Sequence, residues 1–273
     1  MFRLAVPISI SNARFMVLSY IGCSPSIKCS LGFTCLENKE KDCGMQDSIS
    51  VIGYIHTDFP EKFGIPRQPG IVSELKGRIV FEPEYRNPDM IRGLEEFSHI
   101  WLIWQFSKNL DEQGNARWSP TVRPPRLGGN TRMGVFATRS PFRPNPLGLS
   151  VVAIDRIETD TPEGPVIYVK GADMVDGTPI YDIKPYVPYA DAIQDAKGGF
   201  TESTEYKTLK VIWSDGACSN ISDEIRASLE NILSNDPRPH YQNDPDRIYG
   251  MSFAGHEVKF KVAEDELTVL KID

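Results

Sequence analysis

From residue 49 to about residue 170 the apolar residues mostly follow a period of two, in runs at 49–56, 78–82, 98–107, 133–138, 149–158 and 165–170, broken by glycine and proline. A period of two puts neighbouring side chains on opposite faces of an extended chain, so each run can line a core with one face and meet solvent with the other. Helical periodicity is scarce before residue 219, which removes alternating βα units and leaves a barrel or a sandwich. Dinucleotide and phosphate-loop folds are excluded on the same stretch. The glycines of "LGGNTRMG" lack G-x-G-x-x-G spacing, and no G-K-[ST] follows them.

The 273 residues suffice for one large core or a core with a smaller satellite. A composition change near residue 195 ("DAIQDAKGGFTESTEYK") reads as a linker. Beyond it come a strand, "LKVIWS", and a helix opened by Ser222 as N-cap, with Ile221, Ile225, Leu229, Ile232 and Leu233 on one stripe and Pro237 past its end. Three further strand-like pieces follow, the first two joined at Gly255 and His256. The expected organisation is an N-terminal extension over 1–44, a β domain over 45–196 and a small α+β module over 197–273.

Cys23, Cys29, Cys35 and Cys43 fall in that extension with spacings of neither zinc-knuckle nor C-x-x-C type, so no metal site is expected. No run of 18 apolar residues implies a membrane span, and a secretory signal is matched only weakly, so the expected compartment is the cytoplasm.

The charge pattern is the strongest functional signal. Between Glu112 and Asp155 there is no Asp, Glu or Lys, yet Arg117, Arg123, Arg126, Arg132, Arg139 and Arg143 all lie there. The net charge is −7, so this ribbon is a local positive field within an acidic body, suited to a polyanion on one face only. Arginine without lysine favours two-pronged recognition of carboxylates or phosphates, and the adjoining prolines of "VRPPR" and "SPFRPNP" stiffen the loops that carry it. Any single arginine could instead pair with an acid elsewhere.

Other motifs say less alone. "FGIPRQPG" is a rigid loop around one arginine. "GADMVDGTPIYDIKPY" sets Asp173, Asp176 and Asp182 around a D-G turn and predicts a hairpin. "NDPRPHYQNDPDRIYG" holds Asp236 and Arg238 between prolines just after the helix, more stiffening than a helix stop requires.

Taken in order, "FGIPRQPG", "IRGLEEFSHIWLI", "RPPRLGGNTRMGVFATRSPFRPNPLGLSVV", "DMVDGTPIYDIKPYVP" and "DPRPHY" closely resemble the TsaA-like family known as TrmO, from about residue 49 to the C-terminus. The resemblance implies a β-barrel S-adenosylmethionine-dependent tRNA methyltransferase, acting as a homodimer on N6 of threonylcarbamoyl-adenosine at position 37, in the anticodon loop. By the family's pattern the methyl donor should meet Arg67, Gln68 and Pro69, Phe106 and Ser107, Arg139 and Leu149, and Lys170, Gly171, Ala172 and Asp173. Phe106, Ser107, Leu149, Lys170 and Ala172 rest on the resemblance alone.

The acceptor poses a chemical problem that the residues must answer. The N6 lone pair is delocalised, and carbamoylation withdraws it further while acidifying the N–H, so deprotonation is the route to a nucleophile. Asp236 is the candidate for proton handling and Arg238 for charge stabilisation, with Tyr241 beside them; an electropositive pocket that favours the anion would also serve. Arg123, Arg126, Arg132 and Arg143 are expected to hold phosphates and the threonine carboxylate. Two other readings remain open on the sequence: a non-catalytic RNA- or nucleotide-binding module of the same fold, and a hydrolase or lyase acting on a small phosphorylated or carboxylated substrate.

Overall fold

The computed structural model describes residues 49–127, 130–202, 207–238 and 244–273. The expected extension over 1–44 lies outside them. Eight strands precede the linker: β1 (Gly53–Thr57), β2 (Lys76–Phe81), β3 (His99–Gln105), β4 (Thr121–Val122), β5 (Met133–Gly134), β6 (Leu147–Glu158), β7 (Val166–Lys170) and β8 (Thr178–Pro185). Six of them close an antiparallel barrel in the order β1-β2-β7-β6-β3-β8. Closure leaves no open edge, and alternate side chains turn inward. Ile55, Ile79, Ile100, Leu102, Val152, Ile167, Val169 and Ile180 fill the interior.

Two expectations need correction. The run at 133–138 keeps extended pairing only over β5, against β4, and then coils into a 3-10 turn at Val135–Ala137, outside the barrel. The D-G turn forms, with the Thr178 N–H donating to the Val175 carbonyl and Gly177 at φ 70°, but it makes no hairpin. β7 pairs with β2 and β6, whereas β8 crosses to β1 and β3 and closes the barrel.

After a short helix α1 (Pro188–Asp191), strands β9 (Lys210–Trp213), β10 (Tyr249–Phe253), β11 (His256–Ala263) and β12 (Glu266–Ile272) form a second sheet in the order β10-β11-β12-β9. Helix α2 (Asp223–Ser234) contributes to that sheet's core through Leu229, Ile232 and Leu233. Burying a leucine fully is worth about 1.5–3 kcal/mol. Ser222 caps the helix by accepting from the Ile225 N–H at 3.3 Å. The β10–β11 turn sits at Ala254 and Gly255, φ 50° and 80°, one residue earlier than the sequence suggested. Among the described residues no helix is long and apolar enough to cross a membrane.

The two sheets share one compact unit, Ser48–Asp273. The core of the second sheet also takes Phe59, Val72 and Leu75, which belong to the loop between β1 and β2. Phe59 meets Phe253 with ring centres 5.0 Å apart, and the Ala254 N–H donates to the Asp58 carbonyl. The loop that contains "PRQP" is thus anchored at both ends in the C-terminal core.

Candidate active site

One end of the barrel gathers the loops that the sequence singled out. The anchored β1–β2 loop carries Arg67, Gln68 and Pro69, and behind them the Gly70 N–H donates to the Gly171 carbonyl at 3.0 Å. The Gly171 N–H in turn donates to the Leu75 carbonyl at 2.8 Å. A Cβ on Gly171 would stand 3.3 Å from the Gly70 Cα, and its φ of 79° is left-handed, so the two loops can lie backbone to backbone only because glycine is there.

That contact sets Asp173 over the barrel mouth. Ser150 of β6 donates to its Oδ1 at 2.7 Å, and the Trp104 indole of β3 donates to the Ser150 Oγ at 3.0 Å. Burial pushes the Asp173 carboxyl up to about 6, against the pull of the Ser150 hydroxyl, its own N–H and the Arg139 guanidinium. Arg139 reaches in from the arginine ribbon and donates to the Gln68 side-chain oxygen at 2.7 Å. Phe106 packs edge-on against Trp104 at 4.3 Å, and Ser107 opens the 3-10 turn that follows. Segments far apart in sequence therefore converge on one site.

Three expected donor residues are placed differently. The Lys170 ammonium is held by Asp155 at 2.5 Å, on the outer face of the sheet. Leu149 alternates with Ser150 and also faces outward, half exposed. Ala172 is buried in the barrel core and can offer a ligand only its backbone.

The C-terminal motif meets the first loop directly, for Arg67 donates to the Arg238 carbonyl at 3.0 Å. Arg238 is almost wholly buried and grips Asp236 with both prongs, Nε to Oδ1 at 2.8 Å and Nη2 to Oδ2 at 3.0 Å. With both oxygens so engaged, Asp236 anchors a guanidinium and is not a free proton acceptor. Tyr241 lies outside the described residues.

The arginine ribbon is tied together by the buried Asn109, whose amide donates to the carbonyls of Arg117 and Pro141. Among the described residues the arginines in ion pairs are Arg78, Arg92, Arg156 and Arg238; Arg117, Arg123, Arg132, Arg139 and Arg143 form none. Arg123 is exposed, and Arg132 donates to the Thr121 hydroxyl at 3.3 Å. The Arg126 side chain is outside the described set. Arg143 departs from expectation: it donates to the carbonyls of Val135 and Thr138 and so braces its own loop.

The family model for the tRNA-methyltransferase O N-terminal domain matches residues 54–192, and the TrmO C-terminal domain matches 207–273. The chain belongs to the TrmO family.

Among its relatives, a tRNA (adenine(37)-N6)-methyltransferase of Escherichia coli (strain K12) is 35% identical over 81% of this chain and 96% of its own length. A putative S-adenosylmethionine-dependent methyltransferase of Pseudomonas aeruginosa is 40% identical over 76% of this chain and 89% of its own. The crystal structure of TrmO from Pseudomonas aeruginosa superposes with a TM-score of 0.65 at 34% identity, covering 84% of this chain and all of that one.

Within this TrmO fold, sequence reasoning missed two groups. Ser150 and Trp104 read as ordinary inward strand residues, and nothing in their spacing marks them. Trp118, Phe136 and Phe142 interleave with the ribbon arginines and are 58%, 82% and 48% exposed, beyond what a core aromatic allows. Their interleaving with acid-free arginine was the available signal.

Proposed function

We propose that the chain is an S-adenosylmethionine-dependent tRNA methyltransferase that methylates N6 of threonylcarbamoyl-adenosine at position 37. The observation that carries this reading is the junction of Gln68, Arg139 and Asp173 at the edge of an unpaired arginine ribbon. Arg139 and Asp173 are close enough to feel each other's charge yet form no ion pair, so each has capacity for an opposite charge. A donor with a carboxylate and a sulfonium suits that pair. When bound, it supplies an electrophilic methyl group.

The chain's own residues then do the rest. Gln68 and Arg139 orient the donor's polar end, Asp173 faces positive charge, and the Gly171 backbone lines the approach. Arg123 and Arg132 hold phosphates of the anticodon loop, with Arg126 as a further candidate. Trp118, Phe136 and Phe142 offer faces for unstacked bases. Asp236 orients Arg238, whose carbonyl in turn fixes Arg67. Because Asp236 is occupied, the N6 proton is lost to solvent under the field of the unpaired arginines, which favours the N6 anion. A cytoplasmic location and a homodimer belong to the same reading and are supported by family resemblance.

The test is labelled methyl transfer from S-adenosylmethionine to tRNA from cells with and without the threonylcarbamoyl modification. Incorporation confined to modified tRNA is expected. Incorporation into neither would reject the function.

A further inference from the structure

We infer that Ser150, backed by Trp104, is a positioning residue that holds Asp173 as the anion meeting the donor's positive charge; this rests on the reading that Asp173 belongs to the donor site. The direction of the first hydrogen bond is forced, and that of the second follows for an ionised carboxylate. An indole N–H can only donate, and that of Trp104 points at the Ser150 Oγ at 3.0 Å. The serine's one hydrogen is then left for the Asp173 Oδ1, 2.7 Å away. A donor fixed in this way strengthens against a charged acceptor and favours the carboxylate over the acid.

The chain commits a glycine to the arrangement. Trp104 lies across from Gly148 in the β3–β6 register, and a Cβ at Gly148 would stand 2.2–2.5 Å from indole atoms. Only glycine lets the ring lie flat enough to reach Ser150. Both donors are buried, Ser150 at 1% and Trp104 at 6% exposure, so water does not compete for the bonds. Among the described residues the one charged group that bears on Asp173 is Arg139. Lys170, three residues before Asp173 in the chain, is engaged by Asp155. Burial works against the anion, and Ser150 and Arg139 work for it.

The test follows the Asp173 carboxyl in the full chain without ligand, by carbon-13 NMR, its signal identified by loss in Asp173→Asn. Wild type should titrate near 6. Ser150→Ala should move the midpoint up by about one pH unit, because a hydrogen bond to the charged form is lost. Trp104→Phe should move it the same way by less, and Ser150→Thr should restore it. If Ser150→Ala fails to fold because the indole N–H is orphaned, Trp104→Phe/Ser150→Ala removes both partners and carries the same expectation. A wild-type midpoint in the serine-to-alanine background overturns the inference.

Calorimetry with S-adenosylmethionine separates this from the donor reading. Ser150→Ala should lose affinity several-fold at pH 6.5 and recover it at pH 8.5, where the carboxyl is ionised again. Equal loss at both pH values with an unmoved carboxyl would make Ser150 a matter of shape alone and overturn the inference. A shifted carboxyl in a protein that binds no donor at any pH would uphold the hold of Ser150 on the Asp173 carboxylate, reject the donor site and so overturn the donor-facing half of the inference.

Discussion

Asp236→Ala strips the carboxylate from a guanidinium that has almost no solvent to fall back on. Arg238 is 8% exposed as a residue, and its two fork bonds at 2.8 and 3.0 Å both end on Asp236. Removing one partner of a buried pair costs about 3–5 kcal/mol. The side chains here keep 9% and 17% exposure, which places the loss near the lower limit, about 3 kcal/mol. Asp236 also sits at φ 47°, a left-handed conformation that alanine bears less well than aspartate or asparagine, adding about 1 kcal/mol. Asp236→Asn keeps the backbone preference and one acceptor, so its loss should be about 2 kcal/mol. Equilibrium urea unfolding ranks the three proteins, and steady-state kinetics on the same samples should show a raised KM for the donor, because the Arg238 carbonyl that holds Arg67 is displaced. An Asp236→Asn enzyme with wild-type stability, unchanged KM and a collapsed kcat would refute this, and would return Asp236 to the role of proton acceptor.

Asp173→Asn should be more stable than wild type above pH 7. The folded carboxyl titrates at about 6 against an ordinary 3.8, so its favourable contribution is complete below the lower value and gone once pH rises through the higher. The difference in urea should reach about 3 kcal/mol at pH 8 and shrink towards zero below pH 4. Arg123→Gln and Arg132→Gln should each reduce the salt dependence of tRNA binding by about one counterion in filter-binding titrations. Arg143→Gln should instead lower the melting temperature, since its guanidinium braces the Val135 and Thr138 carbonyls. Trp118→Ala or Phe136→Ala should weaken tRNA binding by about 1–3 kcal/mol per lost stack while donor affinity stays at the wild-type value.

The local features of this fold were legible because they rest on local chemistry: the period-two strands, the Ser222 cap and the stiff loops around Arg67 and Arg139. Pairing was not. "TPIYDIKPY" alternates as a strand should, but nothing within it reveals that β8 crosses to β1 and β3 and leaves β7 unpaired with it. The run at 133–138 carried the alternation of a strand and yet curls after Gly134, where the Val135 N–H turns to the Pro120 carbonyl. In the site, residue type could be read and residue direction could not. Arg139 and Arg143 share one ribbon, but the first reaches Gln68 and the second folds back on its own loop. Asp236 had the composition of a base, and only the short span back from Arg238 gave it another task.

The central claim is that loops distant in sequence form one donor pocket at the barrel mouth, joined through Gln68 and Arg139. Calorimetric binding of S-adenosylmethionine to wild type, Gln68→Ala, Arg139→Ala and the double variant tests it directly. Each single variant should lose affinity, and the double variant should lose little more than the worse of the two, since the residues act as a unit. Losses that simply add, or affinities that do not change, would contradict it.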